Sequence, residues 1–185
     1  LGWSKTATTT ITSGTTCASP SYLTLANANA DRVTSNTFTD SLPGTFTICA
    51  AYRQTTNATT SAFMVGTYPC CSAYNITTEQ VFGGQMSFYG SGGPSFVYAS
   101  AGENVLACTR VTGGVATAYF RFNGTIAYVP TSAVSYSVIA GQKLTIGSDG
   151  ASYSLDGRLF GAFYTETALS DGDLDALYTA VYSCP

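Results

Sequence analysis

The feature that most constrains this chain is residues 104–129, three short runs of apolar and β-branched residues with only two residues between them. NVLACTRVT (104–112) meets VATAYFRF (115–122) across Gly113-Gly114, and the second run meets residues 125–129 across Asn123-Gly124. Two-residue loops of this kind join antiparallel strands, and Asn-Gly suits the type I′ turn, which needs φ > 0 at both central positions. An antiparallel meander is therefore expected in the fold.

The rest of the chain carries the same punctuation. After the turn pair Pro43-Gly44, TFTICAAYR alternates. Phe46, Ile48, Ala50 and Tyr52 fall on one face, and Thr47, Cys49, Ala51 and Arg53 on the other. Residues 61–67 and 85–89 read as shorter strands, with a surface loop between them that holds Pro69-Cys70-Cys71 and Asn75. Further strands are expected over 143–146, ending in Gly147, and over 158–164. Glycine clusters at 83–84 and 90–93 read as turns, because no Lys-Ser/Thr follows them to make a phosphate cradle. Residues 3–16 are Thr-rich, which suits an edge strand or an O-glycosylated stalk. Ser170-Asp-Gly-Asp-Leu-Asp-Ala-Leu-Tyr178 is the one helical segment. Ser170 is its N-cap and Asp173 closes a capping box, with Leu174, Leu177 and Tyr178 at helical spacing. Many strands, Gly/Asn/Pro turns and one short helix predict an all-β sandwich of two antiparallel sheets. We read residues 1–185 as one domain, with a Thr-rich strand segment over 1–43 and a core over 44–181.

Composition then removes whole classes of function. Charged residues make up 9% of the chain, with seven Lys+Arg and ten Asp+Glu. There is no basic cluster for nucleic acid or anionic lipid. No apolar run approaches the ~20 residues of a membrane-spanning helix. Histidine is absent, which excludes a Ser-His-Asp triad, a Cys-His dyad and a His-ligated metal. The polar surface is instead hydroxyl-rich, with 29 Thr and 20 Ser.

The six cysteines, Cys17, Cys49, Cys70, Cys71, Cys108 and Cys184, are widely spaced and form no C-x-x-C pair, so disulfides in an oxidising compartment are expected rather than zinc. Three N-x-[ST] sequons, at Asn57, Asn75 and Asn123, are candidate glycosylation sites and fit a secreted, extracellular protein. The chain starts at Leu1 without a signal-like segment, as expected of a processed secreted chain or of a piece of a longer protein.

Two stretches resemble a known family. One is Tyr119-Phe-Arg-Phe-Asn-Gly124. The other runs through Leu144-Thr-Ile-Gly147, Leu155-Asp-Gly-Arg-Leu159, Ala168-Leu-Ser-Asp171 and Leu174…Leu177-Tyr178. Their order is similar to the laminin-G-like branch of the concanavalin A-like lectin/glucanase superfamily, most specifically over 117–178. The resemblance implies a jelly-roll sandwich. It does not fix a function, because the superfamily holds adhesion modules, lectins and glycosidases.

Three site chemistries follow from that list. Glycoside hydrolysis needs two carboxylates about 5–9.5 Å apart. The three glutamates, Glu79, Glu103 and Glu166, form no E-x-D-x-x-E pattern, and Asp156 reads as a turn residue beside Asp149, so no catalytic residue is expected. Calcium is the second. Asp171, Asp173 and Asp175 alternate as in an EF-hand loop, but Ala176 and Tyr182 stand where that loop needs Gly and Glu. Capping accounts for these aspartates, and no metal or cofactor is expected. Glycan binding is the third, since Tyr68, Tyr74, Tyr89 and Tyr98 lie in or beside loops and can form a stacking platform. Phe46, Tyr119, Phe160 and Phe163 are expected in the core.

Assembly is the remaining reading. Few charged gatekeepers protect the sheet edges, so segment 6–16 can add as a strand to a neighbouring copy or pair within its own sheet. The reading is thus a secreted, non-catalytic adhesion or assembly module of a fibre, coat or matrix, with other copies of itself, matrix proteins or glycans as partners. The alternative is a lectin that uses loop tyrosines. For the disulfides, Cys49 and Cys108 share strand parity, on strands the resemblance places in one sandwich. That pairs them with each other and leaves Cys17, Cys184, Cys70 and Cys71 with their pairing open.

Overall fold

In the computed structural model, residues 104–129 form the meander that their turns dictate. Thr112 pairs with Val115 across residues 113–114, and Phe122 with Thr125 across 123–124. Gly113 has φ +57°, the left-handed value that favours glycine there. The structure describes residues 3–5, 10–12, 21–26, 31–35, 44–55, 62–68, 77–81, 85–89, 97–98, 102–113, 115–122, 125–129, 143–148 and 156–183.

The strands form two seven-stranded antiparallel sheets. The first holds, in spatial order, β1 (Trp3–Lys5), β4 (Val33–Ser35), β13 (Lys143–Ile146), β6 (Ala62–Tyr68), β7 (Thr77–Val81), β8 (Gln85–Tyr89) and β9 (Val97–Tyr98). The second holds β12 (Thr125–Val129), β11 (Val115–Phe122), β10 (Asn104–Thr112), β5 (Phe46–Gln54), β14 (Gly157–Thr165), β3 (Tyr22–Leu25) and β2 (Thr10–Thr12). One helix, α1 (Asp171–Tyr182), follows them. The expected all-β sandwich with a short C-terminal helix is the fold observed.

Alternation along β5 and β10 sorts their side chains between two buried faces. Phe46, Ile48, Ala50 and Tyr52 of β5 and Val105, Ala107 and Val111 of β10 are buried on the face toward the first sheet, where β5 and β10 meet β6. Leu25, Val33, Phe120, Ile146 and Leu159 are buried as well. The opposite face would be solvated in a simple sandwich. Here α1 covers it, and Leu174 and Tyr178 pack on Cys49, Ala51, Leu106, Cys108 and Tyr119. Cys49 and Cys108 are register partners and are joined by a disulfide with Cα atoms 4.0 Å apart, beneath the helix.

Several expectations need correction. Residues 77–81 lie within the stretch read as a surface loop, yet form β7 between β6 and β8; the polar run Thr-Thr-Glu-Gln gave no apolar alternation to find. The Thr-rich segment supplies two short strands rather than one, and each lies at the edge of a different sheet. Phe160 and Phe163 are only half-buried, because they face the helix side of β14. Cys17, Cys70, Cys71, Cys184, Tyr74, Asn57, Asn75 and Asn123 lie outside the described residues.

Gly147 shows why the Leu-x-Ile-Gly motif ends as it does. Its φ is +97°, and a Cβ there would stand 2.6 Å from Leu25 Cδ1 and 3.1 Å from the Asp31 carbonyl oxygen. Only a residue without a side chain lets β13 turn against the β3–β4 connection.

Candidate functional site

The face of the second sheet turned away from the first is divided by how α1 is anchored. Ser170 caps the helix: its hydroxyl accepts from Asp173 N at 3.2 Å, and the Asp173 carboxylate accepts from Ser170 N at 2.9 Å. The Ser170 hydroxyl, which also donates to Asp173 Oδ2 at 2.6 Å, and then the Ser170 N–H hold the Asp173 carboxyl below the usual carboxylate range. Asp171 pairs with Arg110 at 2.8 Å. Asp175 accepts from the buried Tyr119 hydroxyl at 2.6 Å and pairs with Arg121. The three aspartates that resembled a calcium loop are thus each engaged by a protein partner. Thr47, buried on β5, donates to Thr167 O at 2.8 Å and accepts from Leu169 N at 3.0 Å, which fixes the approach to the helix. At the other end the Tyr182 hydroxyl lies 2.9 Å from Tyr52 O and 2.7 Å from Val105 O. Burial pushes the Tyr182 phenol well above its ordinary pKa.

These contacts seat α1 over β10, β11 and β5. From the helix a run of rings and guanidinium groups crosses to β14 and β3. Arg121 lies over the Tyr178 ring at 4.6 Å, and Tyr178 meets Tyr182 at 4.9 Å. Tyr182 meets Phe160 edge-on at 5.6 Å, and Phe160 meets Tyr22 edge-on at 6.0 Å. Arg53 lies over Phe160 at 5.7 Å and Arg158 over Tyr22 at 4.8 Å. Each contact falls within the range where aromatic or cation–π attraction is worth about 0.5–1.5 kcal/mol. The ladder therefore holds its own side chains in place.

The ends of this ladder differ in exposure. Tyr178 is buried, Tyr22 and Phe160 are half-buried, and Arg158 is exposed. A cavity of about 270 Å³ opens beside Tyr22 and Phe160, with Ser21, Leu23, Gly161 and Ala162 also in its wall, and it reaches the buried Leu159 and Val33. Its cause is topological: β3 stops pairing with β14 at Leu23↔Leu159, while β14 continues along β5 to Thr165. Gly161 and Ala162 thus pass the end of β3 with small side chains and no neighbour from that strand. A second cavity, of about 500 Å³, lies between α1 and β14, walled by Phe163, Leu169, Leu177 and Ala180 with Thr47 and Asp173.

Among the described residues no group of three potential metal ligands occurs. Of the tyrosines read from the sequence as a platform, Tyr68, Tyr89 and Tyr98 lie on strands of the first sheet. Tyr89 pairs with Thr77 at one end of β7, and Tyr68 closes β6 at that same end. Tyr98 pairs with Gln85, four residues along β8 from Tyr89, or about 13 Å at the rise of a strand. Tyr22, Phe160, Arg53 and Arg158 were not singled out by sequence reasoning. Alternation in RLFGAFY puts Arg158 and Phe160 on one face, but only the β5–β14 register brings Arg53 to them.

No protein-family model matches the chain, and no curated protein matches it. Solved structures do. The native heptameric SAP-like pentraxin from Limulus polyphemus is similar over 93% of this chain and 87% of that one, with TM-score 0.63 and 11% identity. The binding domain of botulinum neurotoxin DC in complex with SialylT is similar over 98% of this chain and 46% of that one, with TM-score 0.63 and 7% identity. Trypanosoma rangeli sialidase in complex with sialic acid is similar over 72% of this chain and 22% of that one, with TM-score 0.58 and 12% identity. The chain thus spans less than half of the last two. At these identities the likeness is one of fold alone, a β-sandwich of antiparallel sheets. None of these three is a laminin-G domain. Among the described residues no helix is long and apolar enough to cross a membrane. The Cys49–Cys108 disulfide is compatible with an extracellular protein.

Proposed function

We propose that the chain is a secreted, non-catalytic adhesion module of the laminin-G-like type that works by binding saccharide on the Tyr22–Phe160 surface. One observation carries the reading: two half-buried rings in edge-to-face contact stand beside a cavity, flanked by guanidinium groups and by the exposed Thr24 and Ser21. Sugar rings present apolar C–H faces and a rim of hydroxyls. Aromatic faces, with hydroxyl and N–H groups beside them, match both. The motif run from Tyr119 to Tyr178 supports the laminin-G-like assignment, and similarity to proteins solved with SialylT and sialic acid supports a saccharide partner. Assembly by donating the Thr-rich segment to a neighbour has less behind it, since β2 pairs with β3 of the same chain and β1 with β4.

The test is a glycan array followed by titration calorimetry on wild type, Tyr22→Ala and Phe160→Ala. Loss of one stacking partner should weaken binding by about tenfold, equivalent to ~1.4 kcal/mol. Unchanged near-ultraviolet circular dichroism would show that the fold is retained. Binding that survives both substitutions places the site elsewhere, and release of reducing sugar from any bound glycan refutes the non-catalytic reading.

A further inference from the structure

We propose that Arg53 and Arg158 form an oxyanion-binding pair, and that the saccharide this surface takes is an acidic one, bearing a carboxylate or sulfate. The inference deepens the saccharide reading and rests on it for the rest of the ligand.

Arg158 of β14 and Arg53 of β5 are direct register partners. Cross-strand partners stand about 4.5–5.5 Å apart at Cβ, and like charges placed so are destabilising. Both side chains lie on the outer face, as their contacts with Phe160 and Tyr22 show. Neither has a carboxylate within ion-pair distance among the described residues. The other two arginines on this face are neutralised, Arg110 by Asp171 and Arg121 by Asp175. The contrast is pointed in a chain with only seven Lys+Arg against ten Asp+Glu. Acidic residues outnumber basic ones, yet two of the few cations face each other without one.

Their bonding leaves room for a ligand. Arg53 donates from Nε at 2.8 Å and from Nη2 at 2.6 Å to one atom, Asn104 Oδ1. That acceptor is neutral, so it orients the guanidinium and leaves its charge uncompensated. With Phe160 beneath it, Arg53 is pre-organised. Arg158 makes no hydrogen bond among the described residues and is aligned only by the Tyr22 ring. Asp156, immediately before β14, accepts from Thr55 Oγ1 at 3.3 Å through its carboxylate. A planar oxyanion bridging the two forks would convert the repulsion into charge-assisted hydrogen bonds, while the rest of the sugar stacks on Tyr22 and Phe160.

Calorimetric titration with three probes of equal length tests this: a galacturonate oligomer, a sulfated galactan oligomer and the neutral galactan. Wild type should bind one or both acidic probes at least about tenfold more tightly than the neutral one, with the difference shrinking at high salt. Arg158→Gln should abolish that difference, whatever small effect it has on neutral binding through the Tyr22 ring, and Arg158→Lys should restore only part of it. Arg110→Gln, on the same face, should leave the ratio of acidic to neutral binding unchanged. Whichever acidic probe prefers wild type identifies carboxylate or sulfate as the group recognised. Equal binding of acidic and neutral probes, or an acidic preference that survives Arg158→Gln, overturns the pair while leaving the saccharide module intact. If no saccharide binds, but inorganic sulfate raises the melting temperature of wild type and not of Arg158→Gln, the oxyanion pair is supported and the saccharide reading falls. Absence of both effects overturns the proposal.

Discussion

Asp175→Ala is the substitution that most directly tests how α1 is held. The carboxylate has two partners: the Tyr119 hydroxyl at 2.6 Å and the Arg121 guanidinium. Tyr119 is 1% exposed, within the cluster that contains both disulfide cysteines. A hydrogen bond from a buried hydroxyl to a charged acceptor is worth about 1.5–3 kcal/mol. Arg121, 19% exposed with an Nε that already lacks a partner, adds about 0.2–1 kcal/mol for its ion pair. We therefore expect Asp175→Ala to cost about 2–3 kcal/mol, a fall in Tm of roughly 5–10 °C for a domain of this size. The comparator is Asp171→Ala. It breaks a pair whose side chains are 24% and 53% exposed, so it should cost no more than about 1 kcal/mol. Urea and thermal unfolding under non-reducing conditions measure both. A double-mutant cycle with Tyr119→Phe isolates the hydroxyl–carboxylate contact and should show a coupling of at least about 1 kcal/mol. If Asp175→Ala costs no more than Asp171→Ala, or if Tyr119→Phe and Asp175→Ala are additive, the helix is not anchored by this contact.

Four further outcomes follow from single positions. Tyr52 is fully buried and its hydroxyl has no hydrogen-bond partner, so Tyr52→Phe should be neutral or stabilise by up to about 1 kcal/mol; a loss of stability in urea unfolding would contradict this. Gly147→Ala must hold a Cβ at positive φ against Leu25 and the Asp31 carbonyl, and should cost about 2 kcal/mol or more in thermal unfolding. The Asp173 carboxyl is depressed by Ser170, so its contribution is present above the ordinary carboxylate range and fades as pH falls through the lowered value; Ser170→Ala should move its NMR titration back up and cost about 1 kcal/mol of stability. Tyr52 and Tyr182 are held neutral by burial, whereas unfolded tyrosine ionises near pH ~10. Stability should therefore fall as pH rises beyond that point, with their phenolate absorbance appearing together with unfolding rather than before it.

The meander, β5, β13 and the capped helix were legible because each is written locally. Period-two alternation, two-residue turns and a Ser-x-x-Asp box need no distant partner to be recognised. Parity alone set Cys49 opposite the Phe46 face and Cys108 opposite the Val105 face, and the structure joins the two cysteines. What the sequence did not disclose is what covers a face. Alternation along TFTICAAYR separates two sets of side chains, but it cannot say that α1 returns to bury the Cys49 set. The same limit hid β7, where Glu79 and Gln80 replace the usual β-formers and strand pairing on both sides holds the segment. The candidate site was missed for a related reason. Tyr22, Arg53 and Phe160 come from three segments more than a hundred residues apart at the extremes, and tyrosines beside loops drew notice because loops are visible in a sequence and registers are not.

The helix and the candidate site are linked by one side chain. Tyr182 lies at the last residue of α1, bonded to carbonyls of β5 and β10, and its ring meets Phe160 edge-on at 82°. The end of the helix thus forms one wall of the aromatic surface, and its position is set by contacts two to three turns earlier at Ser170, Asp171 and Asp175. In a chain with so few charges, the placement of each ion pair carries weight. The two aspartate–arginine pairs fix α1 over β10 and β11 and neutralise that side of the face. They leave the outer face beyond Phe160 to Arg53 of β5 and Arg158 of β14, neither of them in an ion pair among the described residues. If Arg53 and Arg158 take an oxyanion as proposed, the same distribution of acids both builds the scaffold and sets where that anion binds. A change that loosens the Asp175 anchor should accordingly weaken binding at Phe160 through Tyr182, though no ligand touches Asp175.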